Sequence, residues 1–116
     1  MNPSNDYIDK IRHINDEIYY LLLKSKGLSH EEFIKDETLK RAFVRSLEII
    51  GEAVKNIPKQ IYEQYNQIEW NKIAGMRDKL IHHYFGVDYS LVWDVIENHV
   101  PKLKEIIKKI LKEEGK

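Results

Sequence analysis

Apolar residues recur along this chain at intervals of three and four, the spacing that gathers them on one side of an α-helix. The first such run extends from about Asn5 to Lys26, with Tyr7, Ile11, Ile14, Ile18, Leu21 and Leu22 on one face and Gly27 as its stop. Ser29 and Glu32 have the spacing of a capping box that opens a short helix toward Ile34. Asp36 is placed to cap a third helix, whose Phe43, Leu47, Ile50, Val54 and Ile57 form one stripe until Pro58 ends it. A short segment at Gln60 to Tyr65 follows, then a helix predicted from about Trp70 to Tyr84. The last helix begins at Asp88 or Ser90 and carries Val92, Val95, Ile96, Leu103, Ile106 and Ile110, with a kink expected at Pro101 and a frayed tail from Lys112 to Lys116. Strand-like alternation bounded by turn dipeptides is absent. The pattern predicts an all-α protein, a four- to five-helix up-and-down bundle forming one domain over residues 1–116.

One position breaks the pattern. In the helix predicted from Trp70, the apolar stripe is Trp70, Ile73, Ala74, Leu80, Ile81 and Tyr84, and Arg77 falls in its middle. A permanent cation on a burying face is costly unless a partner receives it. Arg77 is therefore expected to meet a carboxylate, the polar face of a second helix, or a cleft that admits an anion. The run Arg77-Asp78-Lys79-Leu80-Ile81-His82-His83-Tyr84 gathers a guanidinium, an imidazole and a phenol, groups suited to chemistry on phosphates. On a regular helix Tyr84 lies nearly over Arg77, while His82 is rotated by roughly 140° and His83 by roughly 120° the other way. Bringing Arg77 and His82 together requires the helix to end near His82, or a second copy of the chain to contribute. Gly86 and Asp88 supply stop and restart signals for the first option.

Composition narrows the function classes. The chain of 116 residues has no cysteine, which removes disulfides, thiolate catalysis and cysteine-based zinc sites. With no long apolar run and no signal-peptide pattern at Met1-Asn2-Pro3, the expectation is a soluble, cytoplasmic protein with no membrane partner. Nineteen basic and 19 acidic side chains balance, so any contact with nucleic acid must be local, in a cleft where cations cluster. Adjacent histidines point about 100° apart on a helix, so His82 and His83 do not suggest a metal site, and no cofactor is expected.

An arginine, four intervening positions, a histidine, one position and a tyrosine resemble the RX4HXY signature of HEPN-domain toxins, in particular the HepT branch. Arg45 to Val54, Ile73 to Arg77, Tyr84 to Asp88 and Val92 to Asp94 carry the same resemblance over most of the chain. It implies a homodimeric, metal-independent ribonuclease toxin acting on RNA. It also implies a partner, a small nucleotidyltransferase antitoxin (MntA) that silences the toxin by attaching AMP to the motif tyrosine. Residue by residue, the resemblance puts the catalytic pair on Arg77 and His82 and the modified phenol on Tyr84, with Asp78 as the polar residue that commonly follows the arginine. Only this register favours His82 over His83 as the base.

RNA carries its own nucleophile, the 2′-hydroxyl beside the scissile phosphate, so no metal is required. A histidine, with an ordinary pKa of about 6.5, suits removal of the 2′-hydroxyl proton, and a guanidinium suits the extra charge of the transition state. The donor for the 5′-oxygen stays open between a symmetry-related His82, Tyr84 and water. On the third helix Arg41, Arg45, Glu48 and Glu52 form a charged ladder; Glu52 or Glu48 is expected to neutralise Arg77, and Arg45 to add a phosphate contact. Gly51, within that helix, implies close approach of another backbone, from a second copy or from a tight crossing within the chain. The surplus apolar faces point to self-association. His99 reads as a core histidine, His13 and His30 as surface residues, and Trp70 and Trp93 as packing. The alternative function is a non-catalytic helical subunit of a minimal nucleotidyltransferase, in which Arg77 would bind a nucleotide phosphate.

Overall fold

The computed structural model describes residues 6–82 and 86–115. Helix α1, Asp6–Ser25, buries Ile11, Ile14, Ile18 and Leu21, the stripe its periodicity predicts. Gly27 ends it with φ +76°, a left-handed conformation that glycine adopts without steric cost. Helix α2, His30–Lys35, opens on a complete capping box. The Ser29 hydroxyl accepts the Glu32 N–H at 3.1 Å, and the Glu32 carboxylate accepts the Ser29 N–H at 2.9 Å. The Ser29 backbone N–H first, and then its side chain, hold the Glu32 carboxyl below its ordinary pKa. Asp36 caps α3, Glu37–Lys55, by accepting the Leu39 N–H. The α3 stripe of Phe43, Leu47, Ile50 and Val54 is buried against α1, and α8 packs on the other side of α1.

Helix α4, Lys59–Gln64, follows Pro58, after which the chain departs from the continuous helix expected between Trp70 and Tyr84. It forms α5, Trp70–Ala74, breaks at Gly75, resumes as α6, Met76–Leu80, and then turns into an antiparallel ladder. In that ladder β1, Ile81–His82, pairs with β2, Gly86–Val87, in the register Ile81 opposite Val87 and His82 opposite Gly86. The expectation of a chain without strands is corrected to this extent; the architecture remains an all-α bundle. Gly51 shows why α5 sits where it does: a Cβ there would lie 3.1 Å from the Ile73 carbonyl oxygen. The close approach read from Gly51 is thus a crossing within the chain, α3 against α5.

The last helical stretch starts at Asp88, whose carboxylate accepts the Leu91 N–H and caps α7, Tyr89–Asp94. A π-helical turn spans Val95–His99 and leads into α8, Val100–Glu114. Pro101 lacks an N–H and its ring crowds the carbonyl four residues earlier; the widened turn just before it accommodates that conflict. The tail is not frayed. Helix α8 persists to Glu114 because the Tyr65 hydroxyl donates to the Glu113 carboxylate at 2.7 Å and the Tyr7 hydroxyl to Glu114 at 3.4 Å. Burial first, and then Glu113, push the Tyr65 phenol well above its ordinary pKa. Among the described residues no helix is long and apolar enough to cross a membrane.

Candidate active site

Breaking the helix at Gly75 resets which side chains of α6 face inward. Met76 and Leu80, four positions apart, take the buried face at 8% and 1% exposure. Arg77, Asp78 and Lys79 are left exposed. The sequence pattern had placed Arg77 on the burying face, and that expectation is corrected: its side chain is 58% exposed. The carboxylate partner it called for is present. The Arg77 Nε donates to Oε2 of Glu48 on α3 at 3.3 Å, and Glu48 itself is only 24% exposed. At this exposure the pair contributes little to stability, but it restrains an otherwise flexible guanidinium. Glu52, the other carboxylate considered, points away to Lys55 at 3.8 Å.

Around this pair runs an open cleft of about 450 Å³. Helix α1 contributes Lys10 and His13, α3 contributes Arg45, Glu48 and Glu52, and α6 contributes Arg77. Three permanent cations less two carboxylates leave a local charge of +1 before any histidine is protonated, in a molecule whose sum is zero. A local excess of this kind can attract an anion that the molecule as a whole does not. Arg45 lies one turn before Glu48, where a second guanidinium reaches the same cleft.

The helix stops at Leu80 and His82 lies in β1, so the chain has the helix end near His82 that its stop and restart signals predict. The ladder is tied at its base by the Asp88 N–H, which donates to the Leu80 carbonyl at 2.8 Å, and by Gly86 at φ +79°. The side chain of His82, and His83 and Tyr84 entirely, lie outside the described residues. Asp78 is exposed beside Arg77.

One further expectation changes. His99 is not a core histidine: the π turn gives the buried positions to Ile96 and Val100, leaving the imidazole 63% exposed with Nε2 3.6 Å from Asp94. It joins Lys72, Lys79 and Lys102 at the mouth of a second cavity of about 350 Å³, on the other side of α6 from Arg77. A hydrogen bond from Lys72 holds the Glu69 carboxyl there below its ordinary pKa, with Lys79 and His99 adding to the effect. His13 is a surface residue, as its sequence reading has it, and it also lines the Arg77 cleft, which that reading did not foresee. The available signal was the polar edge Lys10, His13, Glu17 beside the α1 stripe; Glu17 accepts the Ser46 hydroxyl of α3 at 2.7 Å.

A carboxylate-held guanidinium in a cationic cleft is chemically suited to phosphate-bearing anions. The family described as Ribonuclease HepT-like matches residues 5–110, and the chain belongs to it: a HepT-like HEPN ribonuclease. A candidate RNase of Caldanaerobacter subterraneus subsp. tengcongensis is 53% identical over 104 residues, covering 90% of this chain and 93% of its own. A candidate RNase of Methanocaldococcus jannaschii is 48% identical over 109 residues, covering 93% and 87%. A Thermococcus cleftensis protein bearing the name ribonuclease HepT, qualified as probable, is 38% identical over 104 residues, covering 90% and 94%. No solved structure matches the chain significantly.

Proposed function

We propose that the protein is the toxin of a toxin–antitoxin pair, an endoribonuclease that cuts RNA without a metal ion. In this reading the cleft seats the scissile phosphate on Arg77, and Arg45 holds a neighbouring phosphate. His82 takes the 2′-hydroxyl proton, and the 2′-oxygen displaces the 5′-oxygen to leave a 2′,3′-cyclic phosphate and a 5′-hydroxyl. The observation that carries the reading is the solvent-facing Arg77 guanidinium, held by Glu48 in a cleft of net positive charge, five residues before a histidine that lies past the helix end in β1. A preset cation facing the position of developing charge lowers the barrier more than one that must reorganise. Asp78 and His83 flank the pair, Asp78 as a polar neighbour and His83 as the rival base.

Control belongs to the same reading. A nucleotidyltransferase antitoxin of the MntA kind attaches AMP to Tyr84, which places a bulky anion beside Arg77 and blocks it by size and by charge. The active form is a cytoplasmic homodimer, a reading supported by the apolar pair Tyr19 and Leu23, 69% and 53% exposed one turn apart on α1. The experiment incubates purified protein with tRNA and mRNA in EDTA, beside an Arg77→Ala, His82→Ala double variant. Cleavage that survives the chelator and disappears in the variant is the expected result. Tight binding to the nucleotidyltransferase with no cleavage would instead support the non-catalytic subunit.

A further inference from the structure

The proposed mechanism names a base and an anion holder but no donor for the departing 5′-oxygen, which leaves slowly unless it is protonated. We infer that His13 is that proton donor. The inference rests on the 2′-hydroxyl reading above and on where α1 places this imidazole.

His13 is exposed on α1 and lines the same cleft as Arg77, Arg45 and Glu48. Its register is set. Glu17 meets Ser46, and one turn toward the N-terminus His13 lines the cleft with Ile49 and Ala53, so α1 descends as α3 ascends. That antiparallel packing is held by the buried stripes of both helices, so the imidazole stands on the α1 side of the cleft that Arg77 of α6 also lines. The other described histidines whose side chains can be placed are elsewhere: His30 stacks on Trp93, centroids 5.8 Å apart, and His99 belongs to the second cavity. Histidine is the side chain suited to hold a proton near neutral pH and still release it, whereas lysine and arginine release theirs reluctantly.

The step balances. The base takes the 2′-hydroxyl proton, the 2′-oxygen bonds to phosphorus, and the P–O5′ bond breaks with its electron pair on O5′. The His13 imidazolium gives its ring N–H proton to that oxygen, completing the 5′-hydroxyl. Neutral His13 then takes a proton from water.

A matched pair of RNA oligonucleotides tests this. One is ordinary and one carries sulfur in place of the bridging 5′-oxygen at the cut mapped with wild-type protein, because a thiolate departs without prior protonation. His13→Gln is expected to be slower by about 100-fold or more on the oxygen substrate and close to wild type on the sulfur one. His82→Ala, lacking the base, is expected to be slow on both. The high-pH fall in wild-type rate should also vanish in His13→Gln. Lys10, Arg45, Glu48, Glu52 and Arg77 face His13 in the cleft, and Asp9, Arg12, Asp16 and Glu17 share its helix, so Lys10→Gln serves as the control that keeps the fall. A His13→Gln variant as fast as wild type on oxygen, or equally slowed on both substrates, overturns the inference and leaves the ribonuclease reading intact. Wild-type protein that cuts neither substrate overturns both.

Discussion

Helix α3 and the segment 70–88 hold their shapes by different means. Helix α3 is nineteen residues long, capped by Asp36, and carries a continuous buried stripe, so its own sequence specifies it. The described residues of segment 70–88 form five-residue helices and two-residue strands, each too short to persist alone. Its position is borrowed. Trp70 donates its indole N–H to the Tyr65 carbonyl and stacks on Tyr62, Ile73 rests on Gly51, and Arg77 is held by Glu48. The site-bearing segment takes its geometry from the core helix, and substitutions in the two regions should fail in different ways.

The largest effect is expected in the core. Phe43→Ala should cost about 3–5 kcal/mol of stability, because Phe43 is fully buried and stacks on Phe33 at 5.2 Å. Activity should fall only through the unfolded fraction, which denaturant melts beside single-turnover cleavage would show. Arg77→Ala should do the reverse. RNA cleavage is expected to drop by about 100- to 1,000-fold, while the melting curve barely moves, since an exposed ion pair contributes about 0–1 kcal/mol. A large loss of stability in that variant would remove the distinction between core and site.

Gly51→Val tests the link between the two regions. The added side chain meets the Ile73 carbonyl, so the crossing must open at a cost of about 1–3 kcal/mol. Cleavage should fall further than the folded fraction does, because α5 and Arg77 move with it; cleavage proportional to the folded fraction would show the segment is independent of α3. The smallest effect is at the far end of the bundle. Tyr65→Phe loses its bond to Glu113, worth about 1 kcal/mol, and frees the end of α8. The folded-state pKa of Tyr65 lies above the unfolded 10.0, so its contribution is complete below pH 10 and lost as pH rises beyond it. Wild type and variant should therefore converge in stability above pH 10, and a gap that widens there would be the wrong sign.

The sequence was most readable where one signal decided the outcome. Gly27, the Ser29 and Glu32 box, the Asp36 cap and the α3 stripe all appear where spacing put them. From Trp70 to Tyr84 the same spacing misled, because Ile73, Ala74, Leu80 and Ile81 fit one helical stripe although the helix breaks at Gly75. That break sits beside a tertiary contact, α5 against Gly51, which no local pattern contains. Arg77 moved from the buried face to the cleft with the break, and His99 moved outward because a π turn shifted the register. The need for a carboxylate beside Arg77 was legible from charge alone. Choosing Glu48 over Glu52 was not, since the two differ by one helical turn and only the height of α6 selects between them. His13 was legible only as part of a polar edge on α1, because the cleft that edge lines is formed with α3 and α6 and has no signature on α1 by itself.

Whether RNA's own 2′-hydroxyl breaks the strand in the Arg77 cleft can be asked with a single deoxy substitution. An oligonucleotide cut by the protein in EDTA is remade with a 2′-deoxy sugar immediately 5′ to the mapped bond, and the products are weighed. Loss of cleavage at that bond alone, with 2′,3′-cyclic phosphate ends at the remaining cuts, is the predicted result. Undiminished cutting at the deoxy position would show that water or another group attacks instead.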